Sequence, residues 1–348
     1  MRILLAADPI LPVPPAGYGG IERIVATLIA EFRDRGHTVG LIGKRGSPAP
    51  VDAFFPWPGD NVAGRLDTLR NAFALRRATA QFRPDVVHSF ARLAYLTAIQ
   101  RSGRPKIMSY QRHVGPSTVR WAVRLARPGT LHFTGCSDFI RALGAQSGGE
   151  WTAIPNFVDL RVYTFAPQVA PDAPLVFLSR LDAIKGPHLA IAVARASGRK
   201  LILAGNRPVG GTDAAYFDRE VAPHLGRPGV EWIGEVNDAQ KNALLGQAAA
   251  LLLPIQWDEP FGIVFAEALA CGTPILTCAR GAAPEIVEPG KTGLFFATVA
   301  EGAAAVAGLG NLDRTACRRR AESHYGARGC AEQYLSLYRS RIDAAAGA

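Results

Sequence analysis

A rhythm constrains this chain more than any single residue does. Short apolar runs alternate with longer amphipathic stretches, and the series occurs twice. In the first half, strand-like runs fall at 2–7 (RILLAA), 38–43 (TVGLIG), 85–89 (DVVHS), 105–110 (PKIMSY) and 131–136 (LHFTGC), with helical periodicity near 20–35, 63–82, 91–101, 117–127 and 138–146. In the second half the runs fall at 174–180, 200–205, 230–234, 250–254 and 274–278, with helical stretches near 187–197, 213–224, 238–248, 261–271 and 302–309. Parallel strands need long crossovers, and strands covered on both faces read as continuous apolar runs. The pattern therefore predicts an α/β protein with parallel, helix-covered sheets. Two series in 348 residues predict two doubly wound, Rossmann-like domains facing across a cleft.

The proline-rich stretch 164–174 (TFAPQVAPDAP) has neither period and reads as the linker. The expected domains are 1–168 and 169–325, with a terminal helix at 326–348 returning to the first. Apolar runs such as ALLLPI stop well short of the roughly 18 residues that span a bilayer. The opening MRILLAADPI reads as a first strand rather than a leader peptide. Five dispersed cysteines (Cys136, Cys271, Cys278, Cys317, Cys330) suggest reduced thiols and a cytoplasmic setting.

Charge is uneven. Residues 1–170 hold 21 Lys/Arg against 11 Asp/Glu, a net of +10, whereas residues 171–348 hold 18 against 18. One reading is a solvated, arginine-rich surface. The other is that the first half meets an anionic partner, such as the inner face of a membrane, a lipid-linked acceptor or a phosphorylated glycan. Residues 101–127 carry seven basic side chains and no acidic one, with Arg120, Arg124 and Arg127 expected on one helical face and Trp121 and Leu125 beside them. No nucleic-acid module is visible, and basic residues are not interleaved with aromatics, so no nucleic-acid partner is expected.

Ligands in open α/β sheets bind beyond the carboxyl ends of the strands. The segment WDEPFGIVFAEALACGTP, residues 257–274, is the one most worth reading there. Glu259 precedes Pro260, a residue favoured at a helix start. A helix over 260–271 would place Glu259 at its mouth and Glu267 about 10 Å further along the axis. The amides of Phe261, Gly262 and Ile263 would lie between them at the positive end of the dipole, where anions bind. Carboxylate, anion cradle, carboxylate matches the order of sugar hydroxyls, pyrophosphate and ribose diol in a nucleotide-sugar. The alternative is that Glu267 caps a salt bridge and Glu259 lies on the surface.

Other candidates follow strands too. Arg180 and Lys185 in SRLDAIKG supply a fork and a point charge suited to a diphosphate, or else a loop ion pair with Asp182. Gly17, Gly19 and Gly20 form a glycine loop between a strand and a helix, without the third glycine of a dinucleotide fingerprint. His113 and His88 each end a strand, whereas His37 precedes one and reads as structural.

The segment EPFGIVFAEALACGTPIL resembles the signature of family 4 retaining glycosyltransferases of the GT-B fold. GYGGIERIVATLIAEFRDRGHTVGLIG (17–43), AIPNFVD (153–159), FLSRLDAIKGPHLAI (177–191) and GAAPEIVEPGKTGLFF (281–296) resemble other parts of the same family. The resemblance covers nearly the whole chain. It implies a GT-B enzyme that moves a sugar from a UDP- or GDP-sugar to a glycan, lipid-linked or small-molecule acceptor, with retention, in surface-polysaccharide or natural-product glycoconjugate synthesis. Arg180 and Lys185 would hold the donor diphosphate, with Gly19, Gly20, Phe261, Gly262 and Ile263. Glu259 and His113 would orient the transferred sugar, and Glu267 the ribose. Gly205, Gly234 and Val236 would contact the nucleoside, although the GNRPVGG loop departs from the glycine-rich version expected. No D-x-D occurs, so no metal and no cofactor is expected. A nucleotide-sugar sensor without turnover and a GT-B epimerase are the rival functions; a Rossmann oxidoreductase is disfavoured by the incomplete fingerprint.

Overall fold

The computed structural model describes every residue except Tyr18, Ala63, Gly347 and Ala348. The last two close the expected terminal helix and lie outside the described residues, as does Ala63 at the start of the helix expected from 63. The chain is α/β and divides into two compact units, Met1–Asn156 with Ala327–Ala348, and Phe157–Gly326.

In the first unit the strands are β1 (Arg2–Ala6), β2 (Thr38–Gly43), β3 (Ala53–Pro56), β4 (Val86–Ser89), β5 (Lys106–Tyr110), β6 (Leu131–Gly135) and β7 (Glu150–Ala153). Among the described residues they form one seven-stranded sheet in the order β3-β2-β1-β4-β5-β6-β7, parallel throughout. In the second unit β8 (Leu175–Leu178), β9 (Leu201–Ala204), β10 (Val230–Trp232), β11 (Ala250–Leu253), β12 (Ile275–Thr277) and β13 (Gly293–Phe295) form a six-stranded parallel sheet in the order β10-β9-β8-β11-β12-β13. The central strands β1, β4, β8 and β11 are buried along almost their whole length.

Three strands escape the apolar-run criterion: β3, β7 and β13. All three lie at sheet edges. An edge strand is covered less completely, so its sequence need not be continuously apolar. The helix Arg314–His324 (RTACRRRAESH) was likewise not expected, because it is highly charged and buries only Ala316, Cys317 and Ala321.

The stretch 164–174 lies inside the second unit and is fastened there. Ala166 donates its N–H to the Cys271 carbonyl at 3.0 Å, and Arg314 Nε donates to the Ala166 carbonyl at 2.7 Å. Arg318 Nη1 donates to the carbonyls of Tyr163 and Ala270 at 2.9 and 2.8 Å, placing a cation at the carboxyl end of the helix Ile263–Ala270.

The C-terminal helix Ala327–Ala346 packs in the first unit through Tyr334 and Tyr338. The Phe32 and Tyr338 rings meet edge to face at 5.7 Å, and Tyr338 pairs through its hydroxyl with His88 Nδ1. His88 Nε2 pairs with Ser109 Oγ at 2.6 Å. His88 is wholly buried, so it is a packing residue and not a ligand at the strand end; burial lowers its imidazole to about 3.

Candidate functional site

All strands of the second sheet run parallel, so the loops after β8, β9, β10 and β11 gather at one edge. After β8 come Arg180, Asp182 and the 3-10 turn Ala183–Lys185. Gly186 ends that turn with φ 74°, and a Cβ there would stand 2.2 Å from the Pro254 carbonyl oxygen. Only glycine permits both the conformation and the approach. The Gln256 N–H donates to the Ile184 carbonyl at 2.7 Å, which holds the turn against the loop after β11.

This contact brings Lys185 to Glu259, with Nζ 2.5 Å from Oε2. Trp257 Nε1 donates to the same oxygen at 2.7 Å, and the Lys185 ammonium lies 5.0 Å from the Trp257 ring centroid. Gly281 closes on the Glu259 backbone from the other side. A Cβ on Gly281 would fall 2.3 Å from the Glu259 carbonyl oxygen, and Ala282 donates its N–H to that oxygen at 2.8 Å.

Glu267 has a separate set of partners. Lys241 Nζ lies 2.5 Å from Oε1, and the Tyr163 hydroxyl donates to the same oxygen at 2.8 Å. Burial and then the Glu267 charge hold the Tyr163 phenol above its ordinary value. Burial, followed by the same charge, pushes the Cys271 thiol up to about 12.

Both carboxylates are therefore buried, and each is neutralised by a lysine of the same unit. Lys185 pairs with the carboxylate at one end of the segment and Lys241 with the carboxylate at the other. Glu259 is not a surface residue, because the Gly281 loop and Trp257 cover it. The helix also starts later than expected, at Ile263, with Gly262 as its cap at φ 80°. Phe261 and Gly262 thus precede the helix rather than opening it. Phe261 is buried, its ring 5.5 Å from that of Tyr325.

Arg180 pairs with Asp182 at 2.8 Å, and its side chain remains 45% exposed. Burial raises the Asp182 carboxyl, opposed by Arg180 and Lys185. Gly205 and Gly234 are brought together: the Gly205 N–H donates to the Gly234 carbonyl at 2.7 Å. A Cβ on Gly205 would collide with the Ser179 carbonyl oxygen at 1.8 Å. Val236 is half-buried, just before the Asn237 and Gln240 capping box of the helix Asp238–Gln247.

The remaining candidates belong to the first unit. Gly19, with φ 153°, caps the helix Gly20–Asp34, and a Cβ on it would meet Pro15 at 2.8 Å. Gly20 is the first residue of that helix, and His113 is exposed after β5.

The sequence reading did not single out Lys241, Tyr163 or Trp257. A signal for the lysine existed: a buried carboxylate needs a cation, and residues 171–348 contain four lysines. Tyr163 gave none, since it adjoins the stretch that reads as a linker. Among the described residues, no group of three or more His, Cys, Asp or Glu is placed to hold a metal ion.

Comparison with known proteins accounts for both units. Residues 18–162 match the model of Glycosyltransferase Family 4, and residues 168–312 match that of Glycosyl transferases group 1. The chain is 31% identical to glycogen synthase of Mycobacterium tuberculosis over 380 residues, covering 93% of this chain and 89% of that one. Its structure resembles AviGT4, a glycosyltransferase involved in avilamycin A biosynthesis, with a TM-score of 0.74 and 29% identity over 98% of each chain. It shares its fold with Anabaena Alr3699/HepE, solved in complex with UDP-glucose, with a TM-score of 0.74 and 21% identity over 98% of this chain and 100% of that one. The chain belongs to glycosyltransferase family 4 and is an enzyme of the GT-B fold.

Proposed function

We propose that this glycosyltransferase moves a hexosyl group from a UDP- or GDP-sugar to a hydroxyl of a glycan, lipid-linked or small-molecule acceptor, with retention at the anomeric carbon. The observation that carries the reading is the cluster of Arg180, Lys185, Trp257 and Glu259 at the carboxyl ends of β8 and β11. Arg180 offers a partly exposed guanidinium, and Lys185 an ammonium already desolvated. Such cations are worth most where negative charge develops, here on the departing nucleoside diphosphate. The bond from the anomeric carbon to the phosphate oxygen breaks, and the bond to the acceptor oxygen forms on the same face. The acceptor proton passes to the leaving phosphate. Glu259 orients the transferred sugar, and Glu267 orients the ribose. Gly205, Gly234 and Val236 contact the nucleoside through their backbone. No metal is required in this scheme, since Arg180, Lys185 and the amides from Phe261 to Ile263 would neutralise the diphosphate.

HepE was solved with UDP-glucose, which makes UDP-sugars the first donors to test. A thermal-shift panel of UDP-, GDP- and ADP-sugars reads the donor, because a ligand that binds only the folded state raises its stability. Product analysis with and without acceptor then separates transfer from epimerisation or mere sensing. No shift with any donor would overturn the reading.

A specific observation also favours peripheral contact with an anionic membrane. The helix Pro116–Leu125 buries only Val119. Trp121 is 63% exposed, beside exposed Arg120, Arg124 and Leu125. An exposed aromatic flanked by arginines suits a lipid headgroup layer. Arg127 lies beyond the end of this helix rather than on its face. No helix among the described residues is long and apolar enough to cross a membrane.

A further inference from the structure

We propose that the first unit binds a phosphate monoester group at the amino end of β5, through Ser102, Arg104, Lys106 and Arg127. The site lies at the other end of that strand from the edge where ligands of an open α/β sheet bind, and it does not rest on the transferase reading.

Lys106 opens β5 and is 0% exposed. Its Nζ donates to the carbonyls of Ser102 and Arg104 at 2.8 and 2.9 Å, which leaves one of its three N–H groups over. Asp85, just before the neighbouring β4, accepts from the Arg2 N–H at 2.7 Å instead. Among the described residues no carboxylate pairs with Lys106, Arg104 or Arg127. Burial, followed by the charges of Arg127 and Arg104, lowers the Lys106 ammonium to about 8. The Ser102 hydroxyl is buried and has no partner among the described residues.

Backbone bonds hold this loop in place. The Ser102 N–H donates to the Ile99 carbonyl at 3.0 Å, the Arg127 N–H to the Gln100 carbonyl at 3.1 Å and the Lys106 N–H to the Thr130 carbonyl at 2.7 Å. Gln100 Nε2 donates to the Ala122 carbonyl at 2.7 Å, which ties the loop to the helix Pro116–Leu125. Gly103 leaves room for the Arg127 guanidinium, since a Cβ there would stand 3.0 Å from Nη1.

Like charges held together, and a buried cation without a counter-charge, are costly, so their retention points to an anion. Three cations and a hydroxyl suit the near-dianion and three oxygens of a phosphate monoester better than a carboxylate or a singly charged diester. Such a group comes from a soluble phosphate or from a lipid headgroup. A headgroup would lie just past the end of the helix that carries Trp121.

The test is calorimetry of inorganic phosphate on the full chain at fixed ionic strength, in wild type, Arg104→Gln, Arg127→Gln, Lys106→Met and Arg180→Gln. The expected result is binding to wild type, weakened at least tenfold in the first three variants and within twofold in Arg180→Gln. Arg127 is exposed, so its variant folds even where Lys106→Met does not; circular dichroism checks each. No binding to wild type, equal binding in the folded variants, or a loss confined to Arg180→Gln, which would put the phosphate in the donor site, would each overturn the proposal. Co-sedimentation with phosphatidylcholine vesicles carrying phosphatidic acid then assigns the source. Vesicle binding weakened in Arg104→Gln and Arg127→Gln makes it a headgroup, and vesicle binding absent or unchanged in them makes it a soluble phosphate.

Discussion

The ammonium of Lys185 stands 2.5 Å from the carboxylate of Glu259, with both side chains nearly withdrawn from solvent. Breaking a buried pair by removing one partner strands the other charge, at a cost of about 3–5 kcal/mol. Lys185→Met should therefore lower both stability and turnover. Adding Glu259→Gln should restore much of the stability and none of the turnover. Chemical denaturation and a donor-hydrolysis assay on the two variants check this. A double variant as unstable as the single one would show that the pair is not the cause.

Glu267 presents its charge to Lys241 and Tyr163. If it also grips the ribose, Glu267→Gln weakens nucleotide binding by about 1–3 kcal/mol, the range for a charge-assisted hydrogen bond. Tyr163→Phe removes only a neutral donor and should cost about 1 kcal/mol. Calorimetry with UDP and GDP distinguishes the two; unchanged affinity in Glu267→Gln removes the residue from the site.

Acid should destabilise the first unit through His88. Burial lowers its folded imidazole from 6.5 to about 3. The unfolded chain therefore binds the extra proton first. Stability is full above pH 6.5 and falls by up to about 1.4 kcal/mol per pH unit as pH drops from 6.5 toward 3. His132 is shifted in the same direction by burial and by Arg341, and adds to the slope. Denaturation midpoints between pH 7.5 and 5 should fall less steeply in His88→Asn than in wild type, whatever the variant's absolute stability.

Turnover should survive chelation. The chain has no D-x-D, and the proposed scheme draws the cations for the diphosphate from Arg180 and Lys185. Excess EDTA is expected to leave the rate within about twofold, a barrier change of about 0.4 kcal/mol. A loss reversed by Mg²⁺ or Mn²⁺ contradicts the scheme.

Membrane contact predicts co-sedimentation with phosphatidylglycerol vesicles at low salt, weakened at high salt by screening. Trp121→Ser with Arg124→Gln should reduce the bound fraction several-fold. Equal binding to phosphatidylcholine vesicles, or none to either, removes the anionic membrane as the partner.

How much of this was legible in the sequence depends on whether a feature is local. The central strands were readable because burial acts on contiguous residues. The edge strands β3, β7 and β13 were not, since partial exposure relaxes the apolar pattern. The partners of the two glutamates were not either. Lys185 and Glu259 are 74 residues apart, and Tyr163 and Glu267 are 104 apart.

The sequence by itself determined that this is an α/β chain of two strand–helix series, with two acids in an apolar segment and cations elsewhere. Only the tertiary structure decided which cation meets which acid, and that the stretch 164–174 is fastened rather than loose. Pattern and propensity are properties of neighbours along the chain. Pairing and burial depend on which loops the parallel strands deliver to one edge of a sheet.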